Sequence, residues 1–183
     1  MRFSPALTFT CLCGLAMAAA PVLAQTAAPA DGPHVYGGSF SGADHSDHGT
    51  LTLTAAPNGV ILHIEVKGLT PGWHGMHFHE KGACSDDKFA SAGGHVHAMT
   101  PVTHGFLNAG ANDGGDLPNI YVGDNGLGQA EVFSNLVTAT KVDSRPYLLD
   151  DDGSAVVIHD LPDDYTAQPI GNAGGRAACA VIH

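Results

Sequence analysis

Between Thr50 and Val66 the chain alternates, turns once and alternates again. Thr50-Leu51-Thr52-Leu53-Thr54 has period two, Pro57-Asn58-Gly59 supplies a turn, and Val60, Leu62, Ile64 and Val66 then share one face of a second extended run. Such a hairpin has one side to bury and commits its surroundings to an antiparallel sheet. Asn119–Val122 and Gln129–Phe133 flank Asp124-Asn125-Gly126 in the same manner. Tyr147–Leu149, Ala155–His159 and Ala177–Ile182 add short apolar runs, and no segment keeps a helical period. The expected class is all-β, an antiparallel barrel or sandwich. Two stretches break the rhythm, Glu80–Pro118 and Asp160–Arg176. Long loops in a compact β domain are commonly functional, and these hold most of the remaining polar chemistry.

Residues 1–24 read as a secretory leader: Arg2, a mostly apolar stretch from Ala6 to Ala20, and small residues before Gln25. The apolar stretch is too short and interrupted for a membrane span. Residues 25–33 read as a flexible lead-in, leaving 34–183 as one domain. Of the 7 basic side chains only Arg2 leaves with the leader, so 6 remain against 18 acidic ones, a net of −12. That balance speaks against nucleic acid and anionic membranes as partners. Cys84 and Cys179 are the cysteines outside the leader, and an exported chain with that even count argues for one disulfide over two free thiols. On the chain-entropy picture, closing so long a loop stabilises the fold by about 4–5 kcal/mol.

The chain carries 12 His, more than its Lys and Arg together. In Trp73-His74-Gly75-Met76-His77-Phe78-His79-Glu80, His77 and His79 at period two project to one side of an extended strand, close enough to share a metal ion. Further candidates are His95 after Gly93-Gly94, His104 in Thr103-His104-Gly105, Asp116 in Gly115-Asp116-Leu117-Pro118-Asn119, His159 ending an apolar run, and Arg176 three residues before Cys179.

In this order and with these flanks, the residues resemble the copper/zinc superoxide dismutase family, and its bacterial periplasmic branch in particular. The resemblance covers His34 to His183 and implies a Greek-key β-barrel whose two long loops build the metal site and its entrance. Carried over position by position, it implies His77, His79, His95 and His159 as copper ligands, with His95 bridging to zinc. His104 and Asp116 become further zinc ligands, and Asp163 the outer carboxylate tying a copper histidine to a zinc histidine. It also implies Arg176 as the charge that attracts superoxide, His95 as the proton carrier of a cycle between Cu(II) and Cu(I), and dioxygen and hydrogen peroxide as products. The periplasm is the implied location, and the choice between monomer and homodimer stays open.

The resemblance breaks at one place. Three residues before Asp116 the family has histidine, and this chain has Asp113. Three arrangements fit: Asp113 ligates zinc, giving a two-histidine, two-aspartate site; His97 substitutes; or Asp113 is a turn residue and zinc is held weakly or not at all. A non-catalytic protein that binds or delivers copper on the same fold is the competing function, although such a carrier needs neither His159 nor Arg176. A zinc hydrolase is disfavoured, because position 83 is Ala and the helical HExxH pattern is missing. Asp44-His45-Ser46-Asp47-His48 reads as a solvated hairpin loop.

Overall fold

The computed structural model describes residues 32–141 and 144–183, so the leader over 1–24 and most of the lead-in lie outside the described residues. Among the described residues, nine strands form one antiparallel sheet: β1 Val35–Gly42, β2 Asp47–Ala56, β3 Gly59–Lys67, β4 Gly72–His74, β5 Met76–His79, β6 Ile120–Val122, β7 Leu127–Ser134, β8 Ala155–His159 and β9 Arg176–Val181. The spatial order is β4-β6-β7-β3-β2-β1-β9-β8-β5. The two end strands are separated in sequence only by Gly75, so the sheet curls into a nearly closed Greek-key barrel. No α-helix occurs among the described residues; a single 3₁₀ turn spans Ala90–Ala92.

The predicted hairpin is β2–β3, with Thr52 opposite His63 and Leu53 opposite Leu62. Val60, Leu62, Ile64 and Val66 are buried, whereas Ile61, His63, Glu65 and Lys67 are exposed. These inward residues meet Phe40, Leu51, Leu53, Met76, Phe78 and Ile158 in the barrel core. Each such side chain contributes about 1.5–3 kcal/mol on full burial. One expectation shifts. Tyr147–Leu149 is not a strand; it meets the chain through one parallel bridge, Thr138 to Tyr147, with Leu148 buried. The glycine-rich β1 carries no clear alternation, yet it pairs along β2 and reaches β9 at Ser41 and Gly42.

β5 and β8 differ from the hairpin because every residue in them is buried. Val156 and Ile158 of β8 face the barrel core, while Ala155 and Val157 pack with Phe89, Ala92 and Cys179 in a smaller apolar cluster. Over that cluster Cys84 and Cys179 form the expected disulfide, 95 residues apart in sequence. β5 is treated alike: Met76 and Phe78 enter the core, so His77 and His79 must point the other way. The long loop covers the outer edge of β5. Phe78 N–H donates to Gly115 C=O, Val96 N–H donates to Phe78 C=O, and single bridges join His77 to Asp116 and His79 to His95.

Candidate metal centre

Strand register places three of the imidazoles. His77 and His79 oppose Val157 and Ala155 on β8, and His159 ends that strand on the same face by alternation. His95 arrives from the long loop through its bridge to His79. One nitrogen from each of His77, His79, His95 and His159 lies within 4.8 Å of the others. The atoms His77 Nδ1, His79 Nε2, His95 Nε2 and His159 Nε2 are buried and have no hydrogen-bond partner among the described residues. Four partnerless lone pairs converging in a dry site are costly unless a cation joins them. Imidazole suits copper and zinc, so these residues fit a copper ion.

Burial keeps the His77, His79 and His159 rings neutral and therefore able to ligate. Desolvation, reinforced by neighbouring histidines, lowers His79 to about 2 and His159 to about 3. His77 falls to about 4, again through desolvation, which its hydrogen bond to Asp163 only partly offsets.

The neighbouring half is built from loops. Ligand atoms of His77, His95, His104 and Asp116 also lie within 4.8 Å of one another. Asp116 Oδ1 sits 2.6 Å from His104 Nδ1 yet makes no hydrogen bond. Asp116 Oδ2 accepts the Gly105 N–H, which fixes the carboxylate. Asp113 stands outside that four-residue group. Its Oδ2 accepts from His95 Nδ1 at 2.8 Å and from His104 Nδ1 at 3.3 Å, and its Oδ1 accepts the Gly115 N–H at 2.9 Å. The mix of imidazole and carboxylate fits zinc. Burial works against a charge on His104, but the surrounding carboxylates of Asp113, Asp116 and Asp163 outweigh it and push His104 up to about 11. Desolvation raises Asp113, yet its hydrogen bonds to His104 and His95 win and hold it below the usual carboxylate range. Asp116 moves the other way, through desolvation and the nearby Asp113 charge.

Asp163 joins the halves: Oδ2 accepts from His77 Nε2 at 3.0 Å and Oδ1 from His104 Nε2 at 3.1 Å. Gly171 lets its loop approach, since a Cβ there would lie 1.6 Å from Asp163 Oδ1 and the residue has φ +62. Arg176, at the start of β9, donates to the carbonyl oxygens of Phe89 and Gly93. Those carbonyls belong to the loop that the disulfide anchors at Cys84.

His97 is in neither ligand group, and its Nδ1 donates to the His95 carbonyl. The Asp44–His48 segment runs from the β1–β2 turn into the start of β2, where Asp47 pairs with Lys67 at 2.7 Å. Two contributors escaped sequence reasoning. His74, buried, spans the carbonyl oxygens of His159 at 2.6 Å and Thr70 at 2.8 Å, and so holds the main chain at one of the four converging histidines. Asn119 clamps Asp163 through both ends of its amide, donating to the Asp163 carbonyl and accepting its N–H. Its place in the Asp116 motif was the available signal, and His74 offered none beyond its position before the pair. A surface groove of about 640 Å³ is lined by Glu65, Lys67, Tyr121 and Gln129 and contains none of these residues.

Barrel and site together define a β-barrel metalloprotein with two adjacent, buried metal-fitting clusters that share His77 and His95. Residues 47–182 match the family model described as copper/zinc superoxide dismutase (SODC), and the chain belongs to that family. It is 55% identical over 139 residues to the Cu-Zn superoxide dismutase of Caulobacter vibrioides, covering 76% of this chain and 80% of that one. The Photobacterium leiognathi Cu-Zn superoxide dismutase is 34% identical over 143 residues, covering 73% and 78%. Among solved structures, a superoxide dismutase-like protein from Bacillus subtilis superposes with TM-score 0.74 at 33% identity, covering 79% of this chain and 96% of that one. The Cu/Zn superoxide dismutase from Brucella abortus gives TM-score 0.64 at 25% identity, covering 82% and 100%. The activity is dismutation of superoxide to dioxygen and hydrogen peroxide, and the metals of the family are copper and zinc. Among the described residues no helix is long and apolar enough to cross a membrane.

Proposed function

We propose that His77, His79, His95 and His159 hold the copper at which this chain dismutates superoxide, and that His95, His104 and Asp116 form the zinc position beside it, with Asp113 behind His95 and His104. The supporting observation is the convergence of four buried nitrogens with no protein partner. When bound, copper supplies one-electron exchange between Cu(II) and Cu(I), and zinc a fixed positive charge. The chain supplies the rest. With a net charge of −12 (6 basic against 18 acidic side chains beyond the leader), broad attraction of an anion is absent. Arg176, half-buried and aimed by two carbonyls, draws superoxide in locally. His95 Nε2 is the atom that takes up and returns a proton, so that two superoxide ions and two protons leave as dioxygen and hydrogen peroxide. Asp163 orients His77 and His104 from behind.

A copper carrier has no use for a ring of ligands this deeply buried or for a tethered guanidinium, which weighs against delivery as the function. A pair of variants tests the assignment. His159→Ala should weaken copper binding well beyond the roughly 10–100-fold that loss of an outer partner costs, read by chelator competition. Arg176→Ala should keep its copper and lose roughly tenfold in the second-order rate, with a flatter salt dependence. Copper retained unchanged by His159→Ala would sink the ligand set.

We further propose export to the periplasm, on the strength of the leader-like residues 1–24 and the Cys84–Cys179 disulfide. The mature protein should begin at Gln25 on N-terminal sequencing, and an intact Met1 in the exported fraction would refute cleavage there.

A further inference from the structure

We propose that Asp113 is a positioning residue that takes over zinc's hold on His95, so that the copper half of this centre keeps its geometry and turnover without zinc. This rests on the copper assignment above. The starting observation is the hydrogen bond from His95 Nδ1 to Asp113 Oδ2 at 2.8 Å, between side chains that are 6% and 1% exposed. Two ligands of a tetrahedral zinc, each bonded at about 2.0–2.1 Å, stand about 3.3 Å apart. The observed separation is shorter and belongs to a direct, charge-assisted hydrogen bond.

A neutral imidazole carries one proton. When Nδ1 donates it to Asp113, the lone pair is left on Nε2, the buried and partnerless atom that faces His77, His79 and His159. A carboxylate behind a metal-binding imidazole fixes both tautomer and ring orientation. Asp113 is itself fixed, since Oδ1 takes the Gly115 N–H and the Gly115 carbonyl takes the Phe78 N–H of β5. A histidine at 113 would be a weaker neutral acceptor and could not serve His95 and Gly115 at once.

The bond is also one link of a longer chain. Asp113 Oδ2 accepts from His104 Nδ1, His104 Nε2 donates to Asp163 Oδ1, and Asp163 Oδ2 accepts from His77 Nε2. His95 and His77, whose rings stack at 4.0 Å, are thereby joined through two carboxylates and one imidazole, with no metal in the path.

The test uses the mature protein, stripped by chelator and reloaded with one equivalent of copper, then with zinc added. Wild type, Asp113→His and Asp113→Leu are compared by copper EPR, metal analysis and superoxide decay. Wild type should show the same EPR signal before and after zinc, with rates agreeing within roughly twofold. Asp113→His should need zinc, losing roughly tenfold without it and regaining both signal and rate on its addition. Asp113→Leu should lose about 10–100-fold, the usual cost of an outer partner, with an altered signal at either zinc level. If the Leu variant does not fold, the His variant decides alone. A wild type whose signal and rate respond to zinc as strongly as those of Asp113→His would overturn the proposal. A four-nitrogen copper signal with no turnover, even with both metals present, would instead break the catalytic assignment and leave the Asp113 comparison readable in the spectra.

Discussion

The two halves of the metal centre are made from different materials. On the proposed copper side, His77, His79 and His159 stand on β5 and β8, strands buried on both faces, and their free nitrogens meet no protein partner. On the proposed zinc side, His95, His104, Asp113 and Asp116 all come from the loop between β5 and β6, and apart from His95 Nε2 and Asp116 Oδ1 their side-chain polar atoms already have hydrogen-bond partners. A strand ligand is positioned by the hydrogen-bond ladder before any ion arrives. A loop ligand is positioned by its neighbours, which here are carboxylates. The first arrangement demands a cation, whereas the second partly satisfies itself.

The largest effect should come from cutting the tie between the halves. Asp163→Ala removes one partner from His77 and one from His104. It should cost about 10–100-fold in copper affinity and in turnover, together with a fall in zinc content, all readable by metal titration. If only the zinc content falls, the strands alone hold His77 and the tie is unnecessary. Asp116→Ala should act on one side: zinc stoichiometry drops, while copper affinity stays within roughly threefold, because only a loop-borne group is lost. Equal loss of both metals would show that the halves are not separate.

The smallest effect is the pH profile of the metal-free protein, where each half should own one flank. His104 is raised from 6.5 to about 11, so its stabilising contribution is complete below pH 6.5 and drains away as pH climbs toward 11. His77, His79 and His159 are lowered from 6.5 to about 4, 2 and 3. They favour the fold above pH 6.5, and that contribution is lost as pH falls through the range toward those values. Melting temperature should therefore decline on both sides of neutrality, and His104→Gln should flatten the alkaline flank only. An unchanged alkaline flank in that variant would remove His104 as its source.

Much of this was legible from residues alone, for identifiable reasons. The β2–β3 hairpin declares itself because one face is wet, so period two survives in Val60–Val66. β8 reads as a plain apolar run because both its faces are covered. β1 is hidden by Gly37 and Gly38, the latter needed where the Val181 carbonyl would lie 2.4 Å from a Cβ. Tyr147–Leu149 looks like a strand because Leu148 must be buried, although it plugs the core from a loop. The convergence of His77 and His79 was readable because spacing along a strand is a local property. What Asp113 touches was not, since its partners His95 and His104 lie 18 and 9 residues away and meet it only after the loop folds back.

That folding back has a consequence outside the chemistry. The segment that brings in the metal-binding side chains is also the cover on the outer edge of β5, where Phe78 exchanges hydrogen bonds with Val96 and Gly115. A bare strand edge invites pairing with other chains. Whatever keeps the loop seated, whether a bound ion or the Asp113 contacts, therefore also guards the molecule against self-association. Loss of that seat should appear as aggregation as well as inactivity.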